Sequence, residues 1–200
     1  MIPSKIVIAS HNHKKIVEMR RILEQVGLDI EIMGPDQFPE LADVEETGTT
    51  FAANAMLKAH YVSEATGLPA VADDSGLCVD ALNGMPGILS ARWAGEHGND
   101  HANLELLLKQ IAHIPEKRRG AAFVCAVAYC EPGGREFIVE GSMNGGIIDN
   151  PRGTNGFGYD PIFVPMGRSI TSAEMTSEEK DSISHRGHAL KAFAQQLLAE

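Results

Sequence analysis

One stretch restricts the fold of this chain more than any other: Val71-Ala72-Asp73-Asp74-Ser75-Gly76-Leu77. The apolar run from Leu68 to Ala72 has the composition of a buried strand, and it then meets two adjacent carboxylates, a hydroxyl and a glycine. A strand that leaves a core in this way places charge at the carboxyl edge of a sheet, where open α/β sheets hold their ligands. Successive strand side chains point to opposite faces, so Asp73 and Asp74 are expected to differ in role. One is placed to face a cleft and hold a metal ion or a water; the other braces or caps the turn. Taken alone, the same residues also suit a solvated strand-to-turn connection.

The segments before it fit an α/β pattern. Lys5-Ile6-Val7-Ile8-Ala9 reads as a central strand, and Ile16, Met19, Leu23 and Val26 then recur at helical spacing. The turn between them, Ser10-His11-Asn12-His13-Lys14-Lys15, puts free backbone N–H groups and two lysines at a helix N-terminus, a ready anion site. It lacks the glycines of a P-loop, and Ser10 or Asn12 could equally serve as a plain cap. Leu28 to Met33 alternates as a second strand. Glu45-Glu46-Thr47-Gly48 precedes a helix marked by Phe51, Ala55, Ala59 and Val62 and ending near Gly67. Asn54 and Lys58 lie one turn apart on it. Glu45 is either a metal ligand or a partner of the helix dipole.

After the aspartates, Leu77-Cys78-Val79 can continue in extended form, and Leu82 to Gly95 is too rich in Gly and Pro to be helical throughout; Arg92 beside Trp93 suits an interface or local packing. Asp100 to Ile111 is a helix, and His97 and His101 beside it are read as surface histidines. Ala121 to Tyr129 forms a strand, Glu131-Pro132-Gly133-Gly134 turns, and Arg135 to Ser142 returns as a hairpin, with a further short strand from Gly145 to Asp149. Cys125 and Cys130 differ by an odd count and face opposite sides, against a shared metal. In Gly156-Phe157-Gly158-Tyr159-Asp160, two aromatics flanking a glycine can stack on a flat ring and Asp160 can accept from it. Thr176 to Glu179 matches a capping box for a short helix carrying Lys180. Ser184 caps a last helix whose first turn holds His185, Arg186 and His188. Cations there oppose the dipole, which a polar or anionic ligand would explain.

Two hundred residues suit one domain, 1–200, and a net charge of −10 argues against nucleic acid or an anionic membrane as partner. A few local cations with a divalent metal can still hold a small polyanion. Three cysteines without a CxxC fit reduced thiols, and with no signal peptide and no apolar run that spans a bilayer the expectation is a cytoplasmic protein.

Six segments, in order, resemble the inosine triphosphate pyrophosphatase family: Ser10-x-Asn12-x-x-Lys15; Glu45-x-x-Gly48-x-x-Phe51-x-x-Asn54-Ala55-x-x-Lys58-Ala59; Asp73 to Leu77; Pro86-Gly87-x-x-Ser90-Ala91-Arg92; Gly156 to Phe163; and Ser184-His185-Arg186. His11 departs from the family's usual Gly, and Trp93 from its usual Tyr. The resemblance implies a long, mixed, twisted sheet with flanking helices, two lobes around a central active-site cleft, and a homodimer. It implies Mg²⁺-dependent hydrolysis of ITP, dITP and XTP to the monophosphate and pyrophosphate. By resemblance Asp74 is the proton acceptor and a metal ligand, and Glu45 is the other metal carboxylate. Ser10, His11, Asn12, His13, Lys14, Lys15 and Lys180 bind triphosphate. Ser75, Phe157, Gly158, Tyr159, Asp160, His185 and Arg186 form the rest of the nucleotide site. The rival readings are a haloacid-dehalogenase-like phosphatase, which wants Asp-x-Asp, and a nucleotide-binding sensor without turnover.

Overall fold

The computed structural model describes residues 2–10, 12–27 and 30–199, so the expectations placed on His11, Leu28 and Asp29 lie outside the described residues. The strands are β1 (Lys5–Ile8), β2 (Glu31–Met33), β3 (Ala70–Val79), β4 (Gly120–Cys130), β5 (Glu136–Ile147) and β6 (Phe163–Pro165). They form one mixed sheet in the order β2-β1-β3-β4-β5-β6. β1 is parallel to β2 and β3, and β5 is antiparallel to β6. The flanking helices are α1 (His13–Gln25), α2 (Phe51–Thr66), α3 (Asp100–Ile111), α4 (Ser177–Ile183) and α5 (His185–Leu198).

The chain forms two compact units. The first comprises Met1–Asp74, Cys125–Gly141 and Arg186–Glu200. Strand alternation gives its part of the sheet two apolar faces. Ile6, Ile8, Val71, Cys125, Val127 and Tyr129 pack with the α1 stripe Ile16, Met19, Ile22 and Leu23 and with Leu190, Phe193 and Leu197 of α5. The intervening residues Val7, Ala70, Ala72, Ala126 and Ala128 pack with Ala55, Ala59 and Val62 of α2. That second face is built largely of alanine, so α2 lies close against the strands. Each fully buried Ile or Leu on the first face contributes about 1.5–3 kcal/mol. α2 is bounded by Thr50, whose hydroxyl accepts from Ala53 N–H, and by Gly67 at φ +67°.

The second unit comprises Ser75–Val124 and Ser142–His185. Its core gathers Leu77, Val79, Phe123, Ile147, Tyr159, Ile162 and Phe163 around Leu104, Leu107 and Ile111 of α3. Phe123 and Phe163 meet at 4.7 Å between ring centroids, tilted by 58°. Trp93, partly buried, packs against this core and donates its indole N–H to Gln110 at 2.7 Å.

The extended continuation through Leu77-Cys78-Val79 is realised, while the placing of the aspartates at a strand end and the division of the 135–149 segment are corrected. β3 does not end at the aspartates: it runs on to Val79, because Leu77 and Val79 resume a buried alternation, and Leu77 N–H is taken by the Ser90 hydroxyl at 2.9 Å. Asp73 and Asp74 therefore lie within the strand, away from its end. The close approach of Ser90 and the Gly87 carbonyl leaves no room for a Cβ at residue 76, which explains the glycine there. The segments 135–142 and 145–149 are not two strands. β5 is continuous through Gly145, where the backbone comes so close to Phe163 and the Val164 carbonyl of β6 that only glycine fits.

Candidate active site

The alternation of β3 sends its two aspartates to different surroundings within the first unit. Asp73 points to the α1 and α5 side and is 1% exposed. Its Oδ2 accepts from Arg186 Nη2 at 2.9 Å and Nε at 3.2 Å, and lies 3.3 Å from Lys15 Nζ. Arg186, itself fully buried, also pairs through Nη1 with Glu18, a buried carboxylate on α1. Burial would raise the Asp73 pKa, but Lys15, Arg186 and Lys58 outweigh it and hold the group far below the ordinary carboxylate range. Burial likewise disfavours the Arg186 cation, and Glu18 and Asp73 more than restore it.

Asp74 points to the α2 side. Its Oδ2 accepts from the Asn54 amide at 3.1 Å, and its Oδ1 lies 3.6 Å from Lys58 Nζ. Lys58 also bonds Glu46 Oε1 at 3.0 Å. The i, i+4 spacing of Asn54 and Lys58 is what brings both to one carboxylate. Asn54 does double duty, because its Oδ1 accepts from Gly48 N–H at 2.8 Å and so ties the acidic turn to α2. Burial raises the Asp74 pKa; Lys58 opposes the rise and Glu46 adds to it, and the net shift is upward. Burial works against the Lys58 ammonium, yet Asp74, Asp73 and Glu46 leave its pKa raised. A carboxylate with raised proton affinity beside a held cation is equipped to accept a proton.

Asn12 is the N-cap of α1: its Oδ1 accepts from Lys14 N–H at 3.1 Å and Lys15 N–H at 3.3 Å, and its own N–H donates to Ser10 Oγ at 3.2 Å. The capping reading of this turn is thus realised. His13 and Lys14 are exposed on its first helical turn.

In the second unit, Asp160 organises a separate cluster. Its Oδ2 accepts from Lys180 Nζ at 2.6 Å and from Phe157 N–H at 2.9 Å. Lys180 Nζ stands 5.4 Å from the Phe157 ring centroid, a cation–π contact. Gly156, at φ +74°, has Asp160 and Lys180 where a side chain would be. Gly158 N–H donates to Asp100 Oδ2 at 3.0 Å. Tyr159 does not offer its ring for stacking: it is 4% exposed within the core and donates its hydroxyl to the Ser90 carbonyl at 2.9 Å. His185 is buried and stacks on Phe123 at 5.0 Å. Ser75 is partly buried on β3.

The expected residues therefore fall into two sets, Ser10, Asn12, His13, Lys14, Lys15, Glu45, Asp74 and Arg186 in the first unit, and Ser75, Phe157, Gly158, Tyr159, Asp160, Lys180 and His185 in the second. Within the first, Glu45 is exposed, and it is Glu46 whose carboxylate joins Lys58 and Asp74. The cations at the start of α5 were expected to need a ligand; for Arg186 the protein's own Asp73 and Glu18 supply the negative charge. Lys58, Asn54, Glu46 and Asp73 were not among the expected site residues. The Asn54–Lys58 spacing was the available signal for two of them; Glu18 carries none until Arg186 is known to be its partner.

A mixed α/β sheet with flanking helices, whose central strand carries two adjacent carboxylates met by lysines from α1 and α2, defines a class of protein broadly. The comparisons narrow it. Residues 6–196 match the model of the Ham1 family. A protein named dITP/XTP pyrophosphatase from Streptomyces coelicolor is 58% identical over 190 residues, which cover 95% of each chain. A crystal structure titled nucleoside-triphosphatase / dITP/XTP pyrophosphatase from Mycobacterium abscessus is similar with a TM-score of 0.78 and 55% identity, covering 94% of this chain and 98% of that one. A HAM1 protein structure from Coxiella burnetii gives a TM-score of 0.88 at 40% identity over the whole of both chains. The chain belongs to the Ham1 family.

Proposed function

We propose that the protein hydrolyses noncanonical purine nucleoside triphosphates (dITP, XTP and ITP) to the monophosphate and pyrophosphate, with Mg²⁺ as cofactor. The observation that carries this reading is Asp74, a buried carboxylate of raised pKa held by Asn54 and Lys58, in a chain 58% identical to a protein named for that activity. Asp74 is the general base: it takes a proton from the attacking water. Lys58 and Asn54 fix its orientation, and Asp73, locked by Arg186, keeps the strand beneath it in place. Arg186 is thus a positioning residue rather than a reader of the base.

Lys58 Nζ lies within reach of both the Glu46 and Asp74 carboxylates, so the cluster already seats a cation among oxygen donors. Such a set suits a hard ion, and Asp74 with Glu46, and Glu45 beside it, would hold Mg²⁺. When bound, Mg²⁺ supplies neutralisation of charge on phosphate oxygens. Ser10, Asn12, His13, Lys14 and Lys15 give the first unit the hydroxyl, amide, imidazole and ammonium groups that suit the triphosphate. In the second unit Phe157, its face partly covered by Lys180, suits a purine ring, with Ser75, Gly158, Asp160 and His185 as its neighbours in the reading.

The reading extends to a homodimer in the cytoplasm. Free thiols at Cys78, Cys125 and Cys130 support a reducing compartment, and no helix among the described residues is long and apolar enough to cross a membrane. Light scattering over a dilution series should return twice the chain mass; a monomer at micromolar concentration would remove the dimer.

A panel of dITP, XTP, ITP, GTP and ATP with Mg²⁺, scored separately for pyrophosphate and phosphate, tests the reaction. Pyrophosphate release is expected, with ITP favoured over ATP by more than about tenfold in kcat/KM. Phosphate release would point to a phosphatase, and binding without turnover to a sensor.

A further inference from the structure

Away from Asp74, the first unit holds a second group of ligating side chains. α2 presents His60, β4 ends in Cys130, and Glu136 opens β5 after a turn closed by Glu131 N–H donating to the Arg135 carbonyl at 2.9 Å. His60 Nδ1 lies 3.3 Å from Cys130 Sγ, and His60 Nε2 lies 2.9 Å from Glu136 Oε2. One donor atom from each residue lies within 4.8 Å of the other two. We propose that His60, Cys130 and Glu136 form a cation site for a borderline-soft divalent metal such as zinc, bound through sulfur, imidazole nitrogen and carboxylate oxygen.

The dimensions fit. Zinc bonds of about 2.3 Å to sulfur and 2.0–2.1 Å to nitrogen at a tetrahedral angle separate those donors by roughly 3.5 Å. The observed sulfur–nitrogen separation of 3.3 Å needs only a small adjustment. The Glu136 side chain is 54% exposed and would exchange its contact with His60 Nε2 for the ion, and the 43% exposed His60 leaves an approach from solvent. On binding, the metal replaces the thiol proton, which passes to solvent; His60 ligates through one ring nitrogen, and water completes the shell. Thiolate and carboxylate together balance the ion's charge. Burial pushes the Cys130 thiol up, Ser63 opposes the rise, and Glu136, Glu64 and Glu131 add to it; the same three carboxylates favour a cation beside the sulfur.

The same three residues also have the order of a thiol–imidazole–carboxylate relay. Cys130 is 4% exposed, however, so an ion can reach its sulfur where a substrate carbonyl cannot. Donor chemistry separates this site from the one at Asp74: a thiolate selects zinc-like ions, whereas an all-oxygen set suits magnesium. Cys125 takes no part, since it sits in the opposite core with Ile6 and Phe193. The bound ion would clip α2 to the β4–β5 turn two residues beyond Lys58, on the helix that positions Asp74.

The test uses the full chain stripped with a chelator and titrated with Co²⁺. One equivalent should produce a near-ultraviolet thiolate-to-cobalt charge-transfer band, displaced by Zn²⁺ and retained in excess Mg²⁺. Cys130→Ser should abolish the band, and His60→Gln should weaken binding by about tenfold or more. Absence of the band at excess cobalt, or its persistence in Cys130→Ser, overturns the site. Should the serine variant fail to fold, the partly exposed pair His60→Gln and Glu136→Gln decides: lost binding supports the proposal and unchanged affinity overturns it. Turnover of dITP by the metal-free variants separates this result from any failure of the activity proposed at Asp74.

Discussion

Asp73 and Asp74 are neighbours in sequence and strangers in environment. On one face of β3, Asp73 meets Arg186, Lys15 and, through Arg186, Glu18; its pKa falls far below normal. On the other, Asp74 meets the Asn54 amide and Lys58, which it shares with Glu46; burial raises its pKa, Glu46 adds to the rise, and Lys58 and the more distant Lys15 only partly oppose it. Identical side chains, one residue apart, are thus tuned in opposite directions by which helix each one faces. An over-neutralised carboxylate cannot accept a proton and serves architecture; an under-neutralised one keeps its basicity.

The sharpest way to break this contrast is to remove each group in turn. Asp74→Asn should lower kcat by about 10²–10⁴-fold with little change in melting temperature. Near-normal turnover would take Asp74 out of the mechanism. Arg186→Met should act in the reverse sense, costing about 3–5 kcal/mol of stability in denaturant titration because Asp73 and Glu18 lose a buried counter-charge. A variant as stable as the parent would mean the network is incidental. Lys58→Gln should reduce kcat by about 10²-fold, since it removes the cation that orients the base. If it changes only KM, Lys58 binds substrate and does not tune Asp74. Asn54→Ala has the smallest expected effect, about 1.5–3 kcal/mol of stability from a lost charged hydrogen bond and the loosened Gly48 turn. Equal losses in Asn54→Ala and Arg186→Met would erase the difference between the faces.

Much of this was legible in the chain. The period-two rule alone separated Asp73 from Asp74, and the capping box at Thr176 and the helix from Asp100 to Ile111 stand as read. What the sequence hid were long-range partners. Arg186 is 113 residues from Asp73, and nothing local distinguishes a cation awaiting a ligand from one that answers a buried carboxylate. For the same reason the aspartates looked like the edge of a sheet: only ion pairing from elsewhere lets a strand carry two carboxylates through its interior. Glu45 and Glu46 are indistinguishable by composition, and the choice between them rests on the direction of one side chain in a turn. Tyr159 looked like a stacking ring because an aromatic beside glycine carries no mark of whether it faces a ligand or a core.

The alanines beneath α2 contain no chemistry, yet they govern it. Ala55 and Ala59 share a cluster with Ala70, Ala72, Ala126 and Ala128, so most of the side chains between helix and strands are single methyl groups. The clearance is therefore a shim of fixed thickness, and Lys58, one residue before Ala59, reaches Asp74 because of it. A leucine in place of Ala59 would lift the helix as a wedge lifts a beam, at a cost of about 1–3 kcal/mol. It would also carry the ammonium away from its carboxylate, so that a purely apolar change would read out as a loss of catalysis. The reach of the lysine is written in residues that carry no charge of their own.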